Sequence, residues 1–421
     1  MPRKGVRFVG VVEEARDAAA PPRRLPTLPD KPSIAVLPFA NIGGDPEQEY
    51  FADGMVEEII TALSRIRWPF VIARNSTFTY KGRAVDVKQV GQDLDVRYVL
   101  EGSVRKAGQR VRISAQLIEA ASGAHLWADR FDGSLEDVFE FHDRVAVSVA
   151  GVIEPTLQVA ETARLAQRPT DDLAAYDLYL RAYSMFFTSA RQIPEALRLL
   201  EQEIEHDPGY GPALAWASVC CVRLCMDGRS HDLEADSRKG ADFARRSLQV
   251  AGDDPGVFAN ASLALAFFGE DIGAMMTLVD RALSLNPSFA RGWYVSACLR
   301  HRADQPELAI EHAEAAFRLS PRAQVGFSFT IIGAAHFLSR RFDKAIAKLL
   351  LAIQEDPDYP PPYRFLASCY AHMGRLDEAR VIVRRLRAIT PLVAPSFSQI
   401  RNADHRELIL TGLRLAAGEA E

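Results

Sequence analysis

The stretch Phe342-Asp-Lys-Ala-Ile-Ala-Lys-Leu-Leu-Leu-Ala-Ile-Gln-Glu-Asp-Pro357 contains a pattern that recurs through the second half of this chain. Ala345 stands twelve residues before the proline, and Ala352 stands five residues before it. Small side chains at these spacings allow two antiparallel helices to approach each other closely. The proline ends the helix, because it has no N–H group and clashes with the preceding turn. The stretch therefore predicts the second helix of a packed helix pair.

Prolines at a nearly constant interval indicate that this unit is repeated. The successive intervals are 47, 32, 34, 36 and 34 residues, between Pro208, Pro255, Pro287, Pro321, Pro357 and Pro391. A repeat of about 34 residues is the tetratricopeptide period. We therefore predict about six stacked helix pairs over residues 172–395, each with a proline after its second helix.

The second repeat departs from this pattern. Its 47-residue interval carries an insertion around Asp227 to Asp236, and its second helix lacks the usual small residues. We expect this irregular repeat to provide specificity or flexibility.

Residues 32–160 are predicted to form a compact α/β domain. Apolar runs separated by turns predict strands at 33–39, 70–73, 97–104, 110–119 and 125–131, and helices at 49–65, 85–94 and 135–160. Polar and apolar residues alternate within 110–119, which is typical of a half-buried antiparallel strand. The predicted fold class is thus an α/β domain followed by an all-α tetratricopeptide-repeat superhelix.

The two ends of the chain have no core of their own. Residues 1–12 predict a turn and one β-strand, and a single strand is not stable without a partner. Residues 13–31 run into a proline-rich stretch and predict a semi-extended linker. Residues 396–421 contain an apolar stripe, Leu408 to Leu415, which predicts the capping helix that a stack of repeats needs.

Composition excludes some classes of protein. A net charge of −5 argues against a nonspecific polyanion binder, which would be strongly basic. No apolar run approaches the roughly 18 residues of a membrane span, and the first apolar stretch is too short and polar for a secretory signal. The five cysteines have no framework spacing, which fits a reducing compartment. We therefore expect a cytoplasmic protein.

The sequence contains almost no recognisable catalytic or ligand-binding motifs. There is no phosphate-binding glycine loop, zinc-protease motif, nucleophile elbow or dinucleotide fingerprint. Cys221 and Cys225 share a helix face that could hold a metal. No Cys-x-x-Cys pair or nearby histidine completes a site, so packing in the core is the favoured interpretation. We predict a protein that is not an enzyme and has no cofactor, metal or catalytic residues.

Binding is the function that the repeats predict. The first helices of stacked pairs line a concave surface, and their fifth and twelfth positions should face that groove. Arginine and tyrosine among these residues are common anchors for a partner. The alternative is that they are merely solvated helix faces. The predicted groove for a protein or peptide partner consists of Arg181, Asn260, Phe267, Tyr294, His301, Thr330 and Arg364.

Four stretches resemble a known domain. They are Ile34-Ala-Val-Leu-Pro-Phe39, Asp45-Pro-Glu-Gln-Glu-Tyr-Phe-Ala-Asp-Gly54, Tyr98-Val-Leu-Glu-Gly-Ser-Val-Arg105 and Gly123-Ala-His-Leu-Trp-Ala-Asp-Arg-Phe-Asp132. Together they resemble the TolB-like N-terminal domain, which in many soil bacteria precedes tetratricopeptide repeats. The resemblance implies a sensory or interaction arm, attached to a winged-helix transcriptional regulator or a class III adenylate or guanylate cyclase. It implies no catalytic residues.

The stretch Pro2-Arg-Lys-Gly-Val-Arg-Phe-Val-Gly10 resembles the last strand of the wing in response-regulator-type winged helices, with Val6 in place of the usual aromatic residue. On this resemblance residues 1–12 are a remnant of such a wing. The expected function is a sensory and protein-interaction module of a bacterial transcriptional regulator, which binds no specific DNA site by itself. The alternatives are the regulatory region of a cyclase and a free-standing cytoplasmic adaptor. Homo-oligomerisation stays open.

Overall fold

The computed structural model of the chain describes residues 32–418, apart from 44–45, 108–109, 135–137, 166–174, 321–324 and 396. The predicted wing strand over residues 1–12 and the predicted linker over residues 13–31 lie outside the described residues.

A mixed sheet forms the centre of the first part of the chain. Its strands are β1 (Ser33–Val36), β2 (Ala40–Asn41), β3 (Phe70–Val71), β4 (Tyr98–Ala107), β5 (Arg110–Glu119) and β6 (His125–Ser134). The order is β3-β1-β4-β5-β6, with β2 paired beside β4. Strand β1 is parallel to β3 and β4, whereas β4, β5 and β6 form an antiparallel meander.

Helices cover both faces of this sheet. They are α1 (Pro46–Ser64), α2 (Arg74–Thr77), α3 (Val87–Leu94) and α4 (Val138–Leu165). The apolar residues of β5 pack with α1 and α4 in one large core, and Val90 of α3 packs in a smaller core on the opposite face. The alternation along β5 therefore buries Val111, Ile113 and Leu117, as the period-two pattern predicts.

Thirteen further helices follow among the described residues. They are α5 (Ala175–Thr188), α6 (Ile193–His206), α7 (Gly211–Met226), α8 (Leu233–Val250), α9 (Pro255–Phe267), α10 (Ile272–Leu285), α11 (Ala290–Arg302), α12 (Pro306–Leu319), α13 (Val325–Leu338), α14 (Phe342–Glu355), α15 (Pro360–His372), α16 (Leu376–Ile389) and α17 (Ala403–Ala417). Helices α5 to α16 form consecutive pairs of a tetratricopeptide-like superhelix. The odd-numbered helix comes first in each pair.

The alanines that revealed the period lie at the helix contacts. Ala345 and Ala352 of α14 are fully buried, and Ala282 and Ala379 are buried in the same way in α10 and α16. Helix α17 packs on α15, where Ser368 Oγ donates to the backbone oxygen of Ile409 at 3.1 Å. The last helix thus covers the apolar end of the stack.

The structure corrects the expected position of one proline. Pro255 does not follow the second helix of its pair but is the first residue of α9. The Asp254 carboxylate caps this helix by accepting from the N–H groups of Gly256 and Val257. Proline is well tolerated there, because the first N–H groups of a helix have no partner within the helix. Pro255 lies five residues after the end of α8, whereas Pro208 lies two residues after the end of α6, so the shift accounts for three residues of the 47-residue interval.

The second helix of the irregular repeat also differs from its prediction. Helix α8 does have small residues on its buried face, namely Gly240, Ala241, Ala244 and Ser247. Gly240 packs against Phe268 and Cys221, where an added Cβ atom would lie 2.5 Å from the phenylalanine ring. The irregularity is therefore confined to the length of α8 and the loop before it.

Among the described residues, no helix is both long enough and apolar enough to cross a membrane.

A candidate ligand cavity on the concave face of the repeats

The superhelix is closed on itself by the loop that follows α7. Thr390 Oγ1 donates to the backbone oxygen of Asp227 at 2.6 Å, and Arg229 Nη2 donates to the backbone oxygen of Ile389 at 3.2 Å. Gly228, at a φ of 68°, lies against Leu392, where an added Cβ atom would be 2.6 Å from the leucine Cβ. The insertion in the second repeat thus connects that repeat to the end of the sixth.

The segment after α16 then crosses to the end of α11. The Arg401 N–H donates to the backbone oxygen of Arg302 at 2.9 Å, and Asn402 Nδ2 donates to Asp304 Oδ2 at 2.8 Å. Phe397 and Ile400 of this segment are buried. The chain therefore covers one side of its own concave face and leaves a cavity of about 530 Å³ beneath.

Every first helix of the six pairs contributes to the wall of this cavity. Much of the wall is aromatic, and the rings come from α5, α9, α11, α13, α15 and the covering segment. These aromatic residues are Phe186, Phe267, Phe268, Tyr294, Phe327, Tyr359, Phe365 and Phe397.

Four arginines line the same cavity, and two of them have partners within the protein. Arg223 of α7 is buried and forms an ion pair with Asp227, with Nη2 at 3.1 Å from Oδ2. Arg364 of α15 donates to the backbone oxygens of Met226, Leu392 and Val393 at 3.2, 2.7 and 3.2 Å. Burial lowers the pKa of Arg364 to about 10, which leaves it cationic at neutral pH.

The other two arginines form no ion pair among the described residues. Arg291 Nε donates to Asn260 Oδ1 at 3.1 Å, and its guanidinium lies 4.9 Å from the ring centre of Trp216. Arg302 lies 5.8 Å from the ring centre of Phe267, and its buried Nη1 has no hydrogen-bond partner. Burial lowers the pKa of both guanidinium groups. Each therefore bears a charge that the surrounding protein does not neutralise.

The rest of the cavity wall does not offset these charges. No aspartate or glutamate is among the described residues that line it. His301 lines it with an unpartnered Nδ1, and burial lowers its pKa to about 3, so the ring is neutral at ordinary pH. Asp227 is already paired with Arg223. The cavity therefore has a surplus of positive charge within aromatic surroundings.

Most of the predicted groove residues lie around this space. Five of them line the large cavity: Phe267, Tyr294, His301, Thr330 and Arg364. Asn260 lines a neighbouring cavity of about 120 Å³, which shares Arg291, Tyr294 and Phe327 with the first. Arg181 lines neither cavity. Asn260, His301, Thr330 and Arg364 are buried, so they are not the solvated helix faces of the alternative interpretation.

Positional reasoning missed the arginines that give the cavity its charge. Arg223, Arg291 and Arg302 lie outside the fifth and twelfth positions of their helices. A signal was nevertheless present for Arg223, which is the single charged residue in the otherwise apolar and small sequence of α7. A lone arginine in a buried helix indicates a special environment, because unpaired charges are costly to bury.

The smaller cavity lies where the α/β part meets the repeats. Glu154 of α4 lines it together with Asp254 and Arg67. Burial, reinforced by Asp254, raises the pKa of Glu154 to about 8. Nearby, Gly151 of α4 packs against Leu319 and the backbone oxygen of Ser288.

The described residues contain no group of three or more histidine, cysteine, aspartate or glutamate side chains that could hold a metal ion. All five cysteines are buried and free. Burial raises the pKa of Cys221 to about 12, so its thiol stays protonated. These thiols are therefore poor nucleophiles and poor metal ligands.

Two known families match parts of the chain. The family described as "Tetratricopeptide repeat" matches residues 336–398, and the family described as "HilA/YgeH-like transcriptional regulator, second domain" matches residues 30–147. The first match lies on α13 to α16, and the second covers the mixed sheet.

Two curated relatives come from Rhizobium meliloti (strain 1021). "Putative adenylate cyclase 3" is 42% identical over 251 residues, which is 59% of this chain and 42% of the relative. "Cytochrome c-type biogenesis protein CycH" is 27% identical over 158 residues, which is 36% of this chain and 41% of the relative. The chain thus spans about two fifths of the length of each relative.

Solved structures with a similar arrangement are distant in sequence. A human IFIT1 dimer with m7Gppp-AAAA shares 15% identity at a TM-score of 0.45, with 62% of each chain covered. The APC/C hetero-tetramer Cut9-Hcn1 shares 15% identity at a TM-score of 0.41, with 66% of this chain and 49% of the other covered. TolB from Acinetobacter baumannii shares 16% identity at a TM-score of 0.23, with 31% and 29% covered. No functional inference follows from likenesses this weak.

Proposed function

We propose that this chain is a cytoplasmic sensory and protein-interaction arm of a bacterial transcriptional regulator, without catalytic activity of its own. The observation that carries the proposal is the cavity on the concave face, to which all six first helices contribute. A site built from every repeat can report its occupancy across the whole superhelix, because each repeat packs on its neighbours. The regulator-type match over residues 30–147 supports the transcriptional role.

The predicted domain boundaries are part of this proposal. Residues 32–160 would be a TolB-like domain, residues 172–395 the repeat array and residues 396–421 its cap, with 1–12 a wing remnant and 13–31 a linker. The seven predicted groove residues remain the proposed contact surface, with the cavity as its centre. We also propose that this chain alone binds no specific DNA site, because base readout requires an element that enters a groove, and the sequence predicts only a wing strand and a linker before residue 32.

A second candidate is the regulatory region of an adenylate or guanylate cyclase. The observation that favours it is the 42% identity to a relative named as a putative adenylate cyclase. In both candidates the chain senses or binds, and the two differ only in the output to which it is connected.

Blocking the cavity should separate these candidates. Ala394 lines the cavity and is exposed, so Ala394→Trp should fill the space without disturbing the core. Introduced into the chromosomal gene, Ala394→Trp should change the transcript levels of a defined set of genes and leave cyclic nucleotide levels unchanged. The transcriptome and a cyclic nucleotide assay measure the two outputs.

The matched control is Ala388→Trp, which makes the same change at an exposed position of α16 outside the cavity wall. A changed cyclic AMP or cyclic GMP level with Ala394→Trp alone would favour the cyclase candidate. If neither output differs between the two variants, the cavity does not control signalling and the proposal fails.

A further inference from the structure

The cavity beneath the covering segment contains more positive charge than the protein itself neutralises. Of the four arginines that line it, one is paired with Asp227 and one is bound to backbone oxygens. Arg291 and Arg302 have no carboxylate partner among the described residues. A buried charge without a counter-charge destabilises a fold, unless a bound partner supplies that counter-charge.

The geometry around Arg302 indicates where such a partner would bind. Its Nη1 has no hydrogen-bond partner, and the residue lines the cavity. Arg291 lies on the same helix and contributes to the same wall. Guanidinium groups bind carboxylate and phosphate oxygens through two parallel hydrogen bonds, which suits an anionic group placed at Arg302.

The remainder of the wall fits an apolar body attached to this anionic group. Phe267 lies beside Arg302, and Phe327 of α13 and Tyr359, which precedes α15, line the same cavity. Aromatic rings favour planar or acyl groups, which gain from burial and from contact with ring faces. An inorganic anion would leave these surfaces unfilled.

Size and closure favour a small molecule over a chain. The volume of about 530 Å³ lies within the range of small-molecule pockets. Leu392, Phe397 and Ile400 of the covering segment line the cavity. Thr390 and Arg401, on either side of them, are bonded to the backbone oxygens of Asp227 and Arg302, so an extended peptide would have to displace the segment.

We propose that this cavity binds a small organic anion, in which a carboxylate or phosphate contacts Arg302 and an apolar body fills the aromatic space toward Arg291, about 16 Å away along α11. The inference rests on the proposed sensory function and names the class of its signal. The anion supplies the charge that the cavity lacks, so binding stabilises the closed superhelix.

A matched pair of fluorescent probes tests the charge requirement. 8-Anilinonaphthalene-1-sulfonate carries the anionic group, and N-phenyl-1-naphthylamine has the same rings without it. In titrations of the full chain, the sulfonate should bind at one site per chain, about tenfold or more tighter than the neutral probe, because a charge-assisted hydrogen bond contributes at least that factor.

Variants assign the effect to the arginines. Arg302→Gln should weaken binding of the sulfonate by about tenfold or more and change binding of the neutral probe less than about twofold. The control Arg380→Gln alters an exposed arginine of α16 and should change neither. Because Arg302→Gln removes an uncompensated charge, it should not lower the thermal midpoint of the ligand-free chain, which separates lost binding from lost folding. Arg291→Gln is the second variant.

Competition identifies the class of anion. Octanoate or octyl phosphate should displace the sulfonate, and octanol should not; the better of the two anions distinguishes carboxylate from phosphate. Equal binding of the two probes to the unaltered chain, or unchanged sulfonate affinity in both arginine variants, would overturn the inference. Displacement by acidic peptides but by neither octyl anion would do so as well.

Failure of this inference is distinguishable from failure of the proposed function. If the arginine variants leave probe binding unchanged but Ala394→Trp still alters transcription, the cavity signals through a ligand of another class. If the anion binds as described but Ala394→Trp has no effect on either output, the site exists and the signalling role is wrong.

Discussion

Arg364 shows at the residue scale how a cationic side chain can act as a structural link. It is only 1% exposed, and it donates to backbone oxygens of Met226, Leu392 and Val393. Met226 is the last residue of α7, whereas Leu392 and Val393 lie in the segment after α16. The guanidinium therefore joins three separate parts of the superhelix, and it is largely occupied before any partner binds.

Removal of this link should destabilise the repeats. Arg364→Met keeps most of the side-chain volume but leaves the three oxygens without their donor. We expect the free energy of unfolding to fall by about 3 kcal/mol, since unsatisfied buried groups and bonds to charged donors each contribute on this scale. Urea denaturation followed by circular dichroism measures the change.

The control for this experiment is Arg380→Met, at a half-exposed side chain whose ion pair with Asp377 is solvated. Its effect should stay within about 0.5 kcal/mol. Equal midpoints for the two variants would show that Arg364 does not hold the superhelix closed.

Sequence reasoning placed Arg364 on the concave face but not in this role. Position within a repeat indicates which way a side chain points. It does not indicate which backbone oxygens, 138 residues away in the case of Met226, will be there to accept. For the same reason Arg291 and Arg302 were missed, since their significance depends on the lack of a carboxylate around them.

At the scale of elements, the loop between α7 and α8 is the part whose role differs most from expectation. Its extra length suggested specificity or flexibility. In the structure it is fastened to the end of α16 through Thr390 and Arg229, and the side chain of Asp227 pairs with Arg223. The insertion therefore holds the second repeat against the end of the sixth, and this contact shapes the cavity.

Gly228 provides a direct test of the contact between the α7–α8 loop and the segment after α16. Gly228→Ala introduces a Cβ that would lie 2.6 Å from the Cβ of Leu392, in addition to a left-handed backbone conformation at a φ of 68°. We expect the free energy of unfolding to fall by about 2 to 4 kcal/mol, because of the clash and the strained backbone together. Hydrogen exchange should also become faster at the amides of Thr390, Leu392 and Val393.

Gly252 is a matched control, because it has a φ of 55° and nothing within 4 Å of an added Cβ. Gly252→Ala should lower the free energy of unfolding by only about 1 to 2 kcal/mol, because it strains the backbone but causes no clash. If the two variants lose equal stability and neither alters hydrogen exchange near Thr390, the contact with Leu392 does not hold the loop to the end of α16.

Most of the elements themselves were predictable. The strands of the meander and the helices α3, α14 and α16 follow from alternation, helical spacing and prolines, because these patterns report local burial. Pro255 is the instructive exception. A proline is compatible with the position just after one helix and with the first turn of the next, so its number in the sequence does not distinguish them.

At the scale of the whole molecule, α4 connects the α/β part to the repeats. Gly151 allows α4 to approach Leu319 of α12 closely, and Glu154 is buried one turn further along. Burial and the nearby Asp254 raise the pKa of Glu154 from an ordinary 4.5 to about 8. The carboxyl group is therefore mostly protonated at this junction at neutral pH.

This raised pKa predicts a pH dependence of stability. The folded state binds a proton at Glu154 more tightly than the unfolded state does. The stabilisation is fully present below about pH 4.5 and is lost as the pH rises through about 8. Across that window, the unfolding free energy of the unaltered chain should fall relative to Glu154→Gln, by at most about 1.4 kcal/mol per pH unit.

Chemical denaturation of both proteins at a series of pH values measures this difference. Glu154→Gln is itself the control, because every other titrating group is common to the two chains and, apart from the coupled Asp254, cancels in the comparison. A difference that stays constant from pH 4.5 to 8 would mean that Glu154 ionises in the folded state as it does in the unfolded state.

The repeat period, the small residues between helices and the alternation along β5 are properties of neighbouring positions, and the sequence alone was sufficient to establish the fold class from them. The closed superhelix, the cavity and its unbalanced charge depend on contacts between residues such as Asp227 and Thr390, which lie 163 positions apart. Local patterns reveal which face of a helix is buried, because burial recurs with the helical period. Only the tertiary structure reveals what lies opposite that face, because the small rotation between successive repeats accumulates over the whole stack.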